Sequence, residues 1–331
     1  MNIRRRIKNT FRQSGVTLIE LLIAMVIGAF LVGGVLQVFA GARQTYRVHD
    51  ATSRMQEGGR MALEVLARDI RMADFWGCTS RRINMVNNLD PAGVGYSDFA
   101  TGGIVGTDGG GSAPDSIILR GGVDAGITVE PPYGPQASGN IKVNTASGLQ
   151  QHDIVAVSDC TNGDIFQISN ANPDTSGELV HNTGIGEPGN YNPTNPGCPG
   201  SNAHCLSKVY GADARVLITR EIEYTIGDGS ESQPALFRNG AEFLDGIENL
   251  QIVYGEDIDG SGIADYYVPA DQVVDMDNVI SVRIAIVARS YNDFLTDGIA
   301  QTYNVLGANV VAGDQRLRQV YTSTIAVRNR L

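Results

Sequence analysis

The apolar and polar positions divide the chain into two periodicities. From Val16 to Ala40 the side chains are almost all apolar or small, and Glu20 is the only charge. A helix over those 25 residues is roughly 37 Å long, enough to cross a hydrocarbon core. Past Ala40 the pattern becomes amphipathic. Ala62, Val65, Leu66, Ile70 and Ala73 recur at helical spacing, with Arg60, Glu64, Arg68 and Arg71 on other faces, so this half should pack against a folded domain. Gly58 and Gly59 interrupt it at about 1 kcal/mol each relative to alanine, which predicts a bend or soft spot there. Gly28, Gly33 and Gly34 in the apolar half read equally as flexible points or as places where neighbouring helices approach closely.

Beyond Trp76 the period shortens. Runs rich in β-branched residues, such as "ARVLITREIEYTIG", "NLQIVYG", "NVISVRIAIVARS" and "RQVYTSTIAVRN", alternate with turn clusters and predict a mainly antiparallel β domain. In "SVRIAIVARS", Val282, Ile284, Ile286 and Ala288 share one face, and Arg283, Ala285, Val287 and Arg289 the other. The predicted class is α+β, a long N-terminal helix on a sheet. Four regions follow: residues 1–15 as a leader, 16–40 as a membrane helix, 41–76 as its amphipathic continuation and 77–331 as the β-rich body. "TGGIVGTDGGGSAPD" and "NTGIGEPGNYNPTNPGCPGSNAHC" read as loops. The first lacks the Gly-Lys-Ser/Thr of a phosphate loop, and its aspartates would repel an anion.

Charge orients this layout. The chain carries a formal −11, yet its first fifteen residues hold Arg4, Arg5, Arg6, Lys8 and Arg12 and no acid. A basic front stays on the cytoplasmic side of a bilayer. The acidic remainder excludes the basic face that nucleic acid requires. A secretory signal fits poorly, because its apolar segment is about 7–15 residues and ends at a small-residue cleavage site. Here the run is longer, and the small residue, Gly15, precedes it. Cleavage after Gly15 removes the basic leader and keeps the helix.

Glu20 then lies at the fifth position after the cut. A carboxylate within a membrane helix costs about 2.5–3.5 kcal/mol when central and less near an interface, so it calls for a partner. The new α-amine of Val16 is one. Within a single helix that amine points away along the axis, whereas between helices staggered along a filament the pairing is easy.

"SGVTLIELLIAMVIG" resembles the class III signal of type IV pilins and pseudopilins: a basic leader, Gly15 before the cut, then Thr17-Leu18-Ile19-Glu20 and an unbroken apolar helix. Val16 stands where that family usually has Phe. The resemblance implies cleavage by a prepilin peptidase, N-methylation of Val16 and polymerisation through the helix. "PALFRNG", "LDGIENLQIVYGEDIDGSG" and "RQVYTSTIAVRNR" are similar to PilW-type minor pilins. That similarity implies an inner-membrane precursor with its bulk in the periplasm. It also implies a role in starting pilus assembly with other minor pilins, the major pilin and a tip adhesin, at or near the pilus tip. The competing readings are a J-type minor pseudopilin of type II secretion and a membrane-anchored surface-binding adhesin module.

Cys78, Cys160, Cys198 and Cys205 are even in number on a segment outside the cytoplasmic membrane, so disulfides are expected. Three pairings exist. The short spacing favours Cys198 with Cys205, which leaves Cys78 with Cys160. A zinc site would need more than His204 beside Cys205. In "DIDGSGIADYYV", Asp257, Asp259, Ser261, Ile263 through its carbonyl and Asp265 fall at positions one, three, five, seven and nine of a calcium loop, with Gly262 at the sharp turn. Position twelve is Val268, so a last ligand would come from Asp271, Asp275 or Asp277. A plain acidic hairpin turn is the alternative. The chain has no Gly-x-Ser-x-Gly, His-Glu-x-x-His or P-loop motif, and its four histidines are scattered. No enzyme activity is predicted.

Overall fold

The computed structural model describes residues 15–77, 84–134, 140–191, 205–230 and 233–330. The chain divides into two compact units, Met1–Ala51 and Thr52–Leu331. Helix α1 runs from Leu18 to Met72 without a break. The first unit holds its apolar part, whose most hydrophobic window has none of its residues buried.

Strands follow the helix. In chain order they are β1 (Asn84–Asn87), β2 (Ile104–Thr107), β3 (Ser116–Thr128), β4 (Ile141–Lys142), β5 (Ile154–Ser158) and β6 (Asn162–Gln167). Next come β7 (Glu178–Leu179), β8 (Arg215–Asp228), β9 (Pro234–Arg238), β10 (Ala241–Asp245) and β11 (Ile247–Glu256). The last are β12 (Tyr266–Val268), β13 (Val279–Arg289), β14 (Gln301–Val305), β15 (Ala308–Ala312) and β16 (Arg318–Ala326). Two sheets dominate. The larger has the order β1-β6-β5-β8-β3-β2, with the β9-β10 hairpin attached to β8, and the second has the order β12-β11-β13-β16. Pairing is antiparallel except between β1 and β6. The fold is therefore α+β with a mostly antiparallel body.

The amphipathic half of α1 supplies the face that both sheets bury. Ala62, Leu66, Ile70 and Ala73 are buried in one core with Ile117, Leu119 and Ile222 of the larger sheet and Leu250, Ile252, Val282, Ile284 and Ile286 of the second. Val65 packs at its edge. Strand β13 buries its other face too. Ala285 and Val287 lie with Val305 and Val310 beneath the β14-β15 hairpin, so one strand serves two cores.

Two expectations change. The Gly-rich segment after Phe99 is not all loop, because Ile104–Thr107 forms β2 and pairs with Ser116–Leu119; three β-branched residues there find a partner strand that composition conceals. Nor does α1 break at Gly58-Gly59. A side chain at Gly59 would collide with the ring of Tyr321, whose hydroxyl donates to the Met55 carbonyl at 3.2 Å. The glycine admits an aromatic ring against the helix backbone, and the helix runs unbroken through a pair whose propensity disfavours it.

Candidate assembly site

The helix start is built from its own sequence. Gly15, Val16 and Thr17 are non-helical, and Leu18 is the first helical residue. The Glu20 backbone N–H donates to Thr17 Oγ1 at 3.3 Å. Thr17 thus occupies the N-cap with Glu20 three residues on, the pattern in which a threonine side chain and a glutamate satisfy the open end of a helix. Glu20 is also the only acid of the first turn, where the helix dipole favours negative charge. The Thr17 hydroxyl thus caps the helix start, and the Glu20 carboxylate sits where the dipole favours it. Thr-x-x-Glu could have revealed it from the sequence.

The apolar side chains that follow face outward. Leu18, Phe30 and Val38 are between 73% and 79% exposed, far more apolar surface than a helix surrounded by water tolerates. A Cβ added at Gly28, Gly33 or Gly34 would meet nothing within 4 Å, so within the chain these glycines fit no contact. Their bare backbone stays open to neighbouring helices.

Where α1 enters the body it is pinned by side chains from distant strands. Asp69 is buried and takes three donors: Tyr224 Oη at 2.6 Å, Arg220 Nη2 at 2.5 Å and Arg238 Nη2 at 2.9 Å. Burial pushes its carboxyl up, but the Tyr224 hydroxyl and the two guanidinium groups outweigh burial and hold it below the usual carboxylate range. The same burial and the adjacent Asp69 raise Tyr224 well above an ordinary phenol. At the helix end, Asn329 Nδ2 donates to the Ala73 carbonyl at 2.9 Å, and Arg330 Nε pairs with Asp74 at 2.7 Å. An open helical carbonyl gains a donor from the far end of the chain. The sequence reading missed these residues. Asp69, a charge in step with Leu66 and Ala73 on the apolar face, was the available sign.

The acidic turn brings its expected residues together. Oxygens of Asp257, Asp259 and Asp265 lie within 4.8 Å of one another. Asp257 is buried, while the other two are exposed. The Ser261 N–H donates to both Asp257 and Asp259 at 2.9 Å, and the Gly262 N–H donates to Asp257 at 3.0 Å. Ser261 Oγ lies 3.4 Å from the Ile263 carbonyl. Three carboxylates so gathered suit a hard cation with oxygen ligands. Among the described residues no fourth carboxylate joins them. Val268 is held in β12, and Asp275 accepts the Asp277 N–H as the cap of its own short helix.

Neither Cys160 nor Cys205 is a free thiol. Cys78 and Cys198 lie outside the described residues, as does the leader up to Ser14. Close to Cys205, buried Asp164 organises the chain: it accepts from Ser207 N, from Tyr210 Oη at 2.6 Å and from Asn88 Nδ2 at 2.8 Å.

No curated protein and no solved structure matches the chain. Two family models do. The prokaryotic N-terminal methylation motif matches residues 10–36, which hold Gly15, Val16 and Glu20, and type IV pilus-assembly protein W matches residues 216–329, from β8 to the Asn329 that caps the helix end. These families describe a structural, membrane-anchored subunit of a pilus, whose partners are other pilins. With a prepilin-like helix start at one end and a W-type sheet at the other, the chain is similar at both ends to type IV pilins of the PilW type.

Proposed function

We propose that this minor pilin takes part in starting pilus assembly and is incorporated at or near the pilus tip with other minor pilins and a tip adhesin. The observation that carries the reading is the apolar part of α1, with none of its most hydrophobic window buried, Glu20 as its lone charge and a non-helical Gly15-Val16 junction ahead of it. Before assembly the basic leader stays cytoplasmic, the helix crosses the inner membrane and the acidic body faces the periplasm. A prepilin peptidase cuts after Gly15. Glu20 then meets an α-amine of Val16 on an adjoining helix, within hydrocarbon where an unpaired charge is expensive. The test is to remove the protein and count surface pili, then to restore it with an epitope and label the fibres. Pili should fall at least tenfold and label should sit at fibre ends. Label spread evenly along the fibres would contradict the tip position. Gly15→Val should leave a precursor longer by the leader, resolved by intact mass of the membrane-bound chain.

We propose in addition that the acidic turn takes calcium through Asp257, Asp259, Asp265, Ser261 Oγ and the Ile263 carbonyl, with an affinity of about 10⁻⁴–10⁻³ M, as in extracellular modules. Calorimetric titration of the detergent-solubilised protein should show heat of binding that Asp257→Ala abolishes. Absence of heat in the parent would rule the site out. The pairing of Cys198 with Cys205 and of Cys78 with Cys160 is proposed on spacing, and peptide mapping without reduction reads it directly.

A further inference from the structure

Among the described residues strand β16 is the edge of the second sheet and pairs only with β13. Its register runs without a bulge from Ser281 opposite Ala326 to Arg289 opposite Arg318. Beyond either end, the Val327 N–H donates to the Ile280 carbonyl and the Ser290 N–H donates to the Leu317 carbonyl, each at 2.8 Å. In an antiparallel ladder hydrogen-bonded pairs alternate with non-bonded ones. The odd-numbered residues of β16 therefore bond to β13. Val320, Thr322, Thr324 and Ala326 turn their N–H and C=O groups outward, and among the described residues nothing in the backbone receives them. Thr322, Thr324 and Ala326 are exposed.

An open edge is a pairing template, and folded proteins ordinarily blunt it with charge, proline, a bulge or shortness. The other edges of the two main sheets follow that rule. Strand β12 has 3 residues and β1 and β2 have 4 each, while β10 carries Glu242, Asp245 and a register shift. Strand β16 has 9 residues, no bulge, no proline, and no charge from Gln319 to Ala326. Its inner face is fixed by Tyr321 and Ile325 on the helix core, so the edge is rigid.

The charges beside it are positive. Arg283 Nε donates to Thr324 Oγ1 at 3.1 Å, and Arg328 is exposed just past the strand. Neither has a carboxylate partner among the described residues, in a chain of net charge −11. A second copy fits badly. Paired antiparallel about Thr322, its own β16 would bring Arg328 opposite Arg316, and its β12 offers only 3 residues. We infer that the outward edge of β16 pairs strand to strand with an extended segment of a different pilus subunit, uncharged in its centre and acidic at its flanks. Main-chain bonds supply the affinity, and Arg283 and Arg328 select the partner. The inference rests on the proposed co-assembly with other pilins.

Thr322→Pro tests it in the full-length protein. It deletes an N–H that points outward and leaves the β13 ladder whole, the one placement an edge strand tolerates for proline. Incorporation into fibres should fall at least tenfold with Thr322→Pro and stay at parent level with Thr322→Ala, both variants keeping parental protease resistance in the membrane. A photo-reactive residue at position 322 should cross-link to an extended, acid-flanked segment of another pilin. Parent-level incorporation of Thr322→Pro, equal loss in Thr322→Ala, or cross-linking only to a second copy each overturns the inference. Should Thr322→Pro fail to fold, the cross-link decides. If the parent chain itself never enters fibres, the functional reading fails, and the cross-link in the membrane still judges the edge.

Discussion

Replacing Asp69 by alanine is expected to destabilise the body by about 3 kcal/mol, the cost of breaking a buried ionic cluster, lowered somewhat because Arg220 and Arg238 keep 37% and 32% of their side chains exposed. The substitution leaves Tyr224 and two guanidinium groups around an empty place. Thermal unfolding of the solubilised protein measures it, and an unchanged midpoint would refute the account. The sign of the pH effect follows. The native site holds Asp69 below its ordinary value, so the folded chain binds fewer protons than the unfolded one. Its stabilisation is complete above about pH 4 and is lost as pH falls through the lowered native value. Stability of the parent should drop more steeply on that acid limb than stability of Asp69→Ala, which has nothing there to titrate.

Replacing Glu20 by alanine is expected to reduce incorporation into fibres by about 100-fold, the factor equivalent to the 2.5–3.5 kcal/mol of an unpaired charge in hydrocarbon. Cleavage after Gly15 should continue. Glu20 lies in the first turn of the helix and has a proposed role between subunits, and Glu20→Gln separates the two. Glutamine can replace glutamate at the third position of a capping box, yet it carries no charge to meet an amine. If the α-amine pairing governs assembly, glutamine fails as alanine does. If the helix start governs it, glutamine restores most incorporation. Fibres isolated from cells expressing each variant and probed for the chain give the result.

What the sequence disclosed and what it concealed divide by distance along the chain. The buried face of α1 was legible because Ala62, Leu66, Ile70 and Ala73 follow one another at helical spacing. The two faces of β13 were legible from alternation, although the second core beneath β14-β15 was not. The acidic turn was legible because its carboxylates lie within nine residues of one another. Asp69 signals only that a charge sits on an apolar stripe. Its partners lie 151 to 169 residues away, and nothing local announces them. The packing role of Gly59 was not legible, because its cause, Tyr321, comes from the last long strand. Glu20 was read for the membrane while its link to Thr17, three positions away, went unread.

The seat of Tyr321 on Gly59 and the ionic cluster at Asp69 have a mechanical consequence. Any tension along α1 reaches the sheets across these contacts. The Tyr321 hydroxyl grips Met55 and the arginines grip Asp69, more than three helical turns farther along. Load is thereby shared between two separated anchors, and giving way at one leaves the other to keep the body attached to its rod.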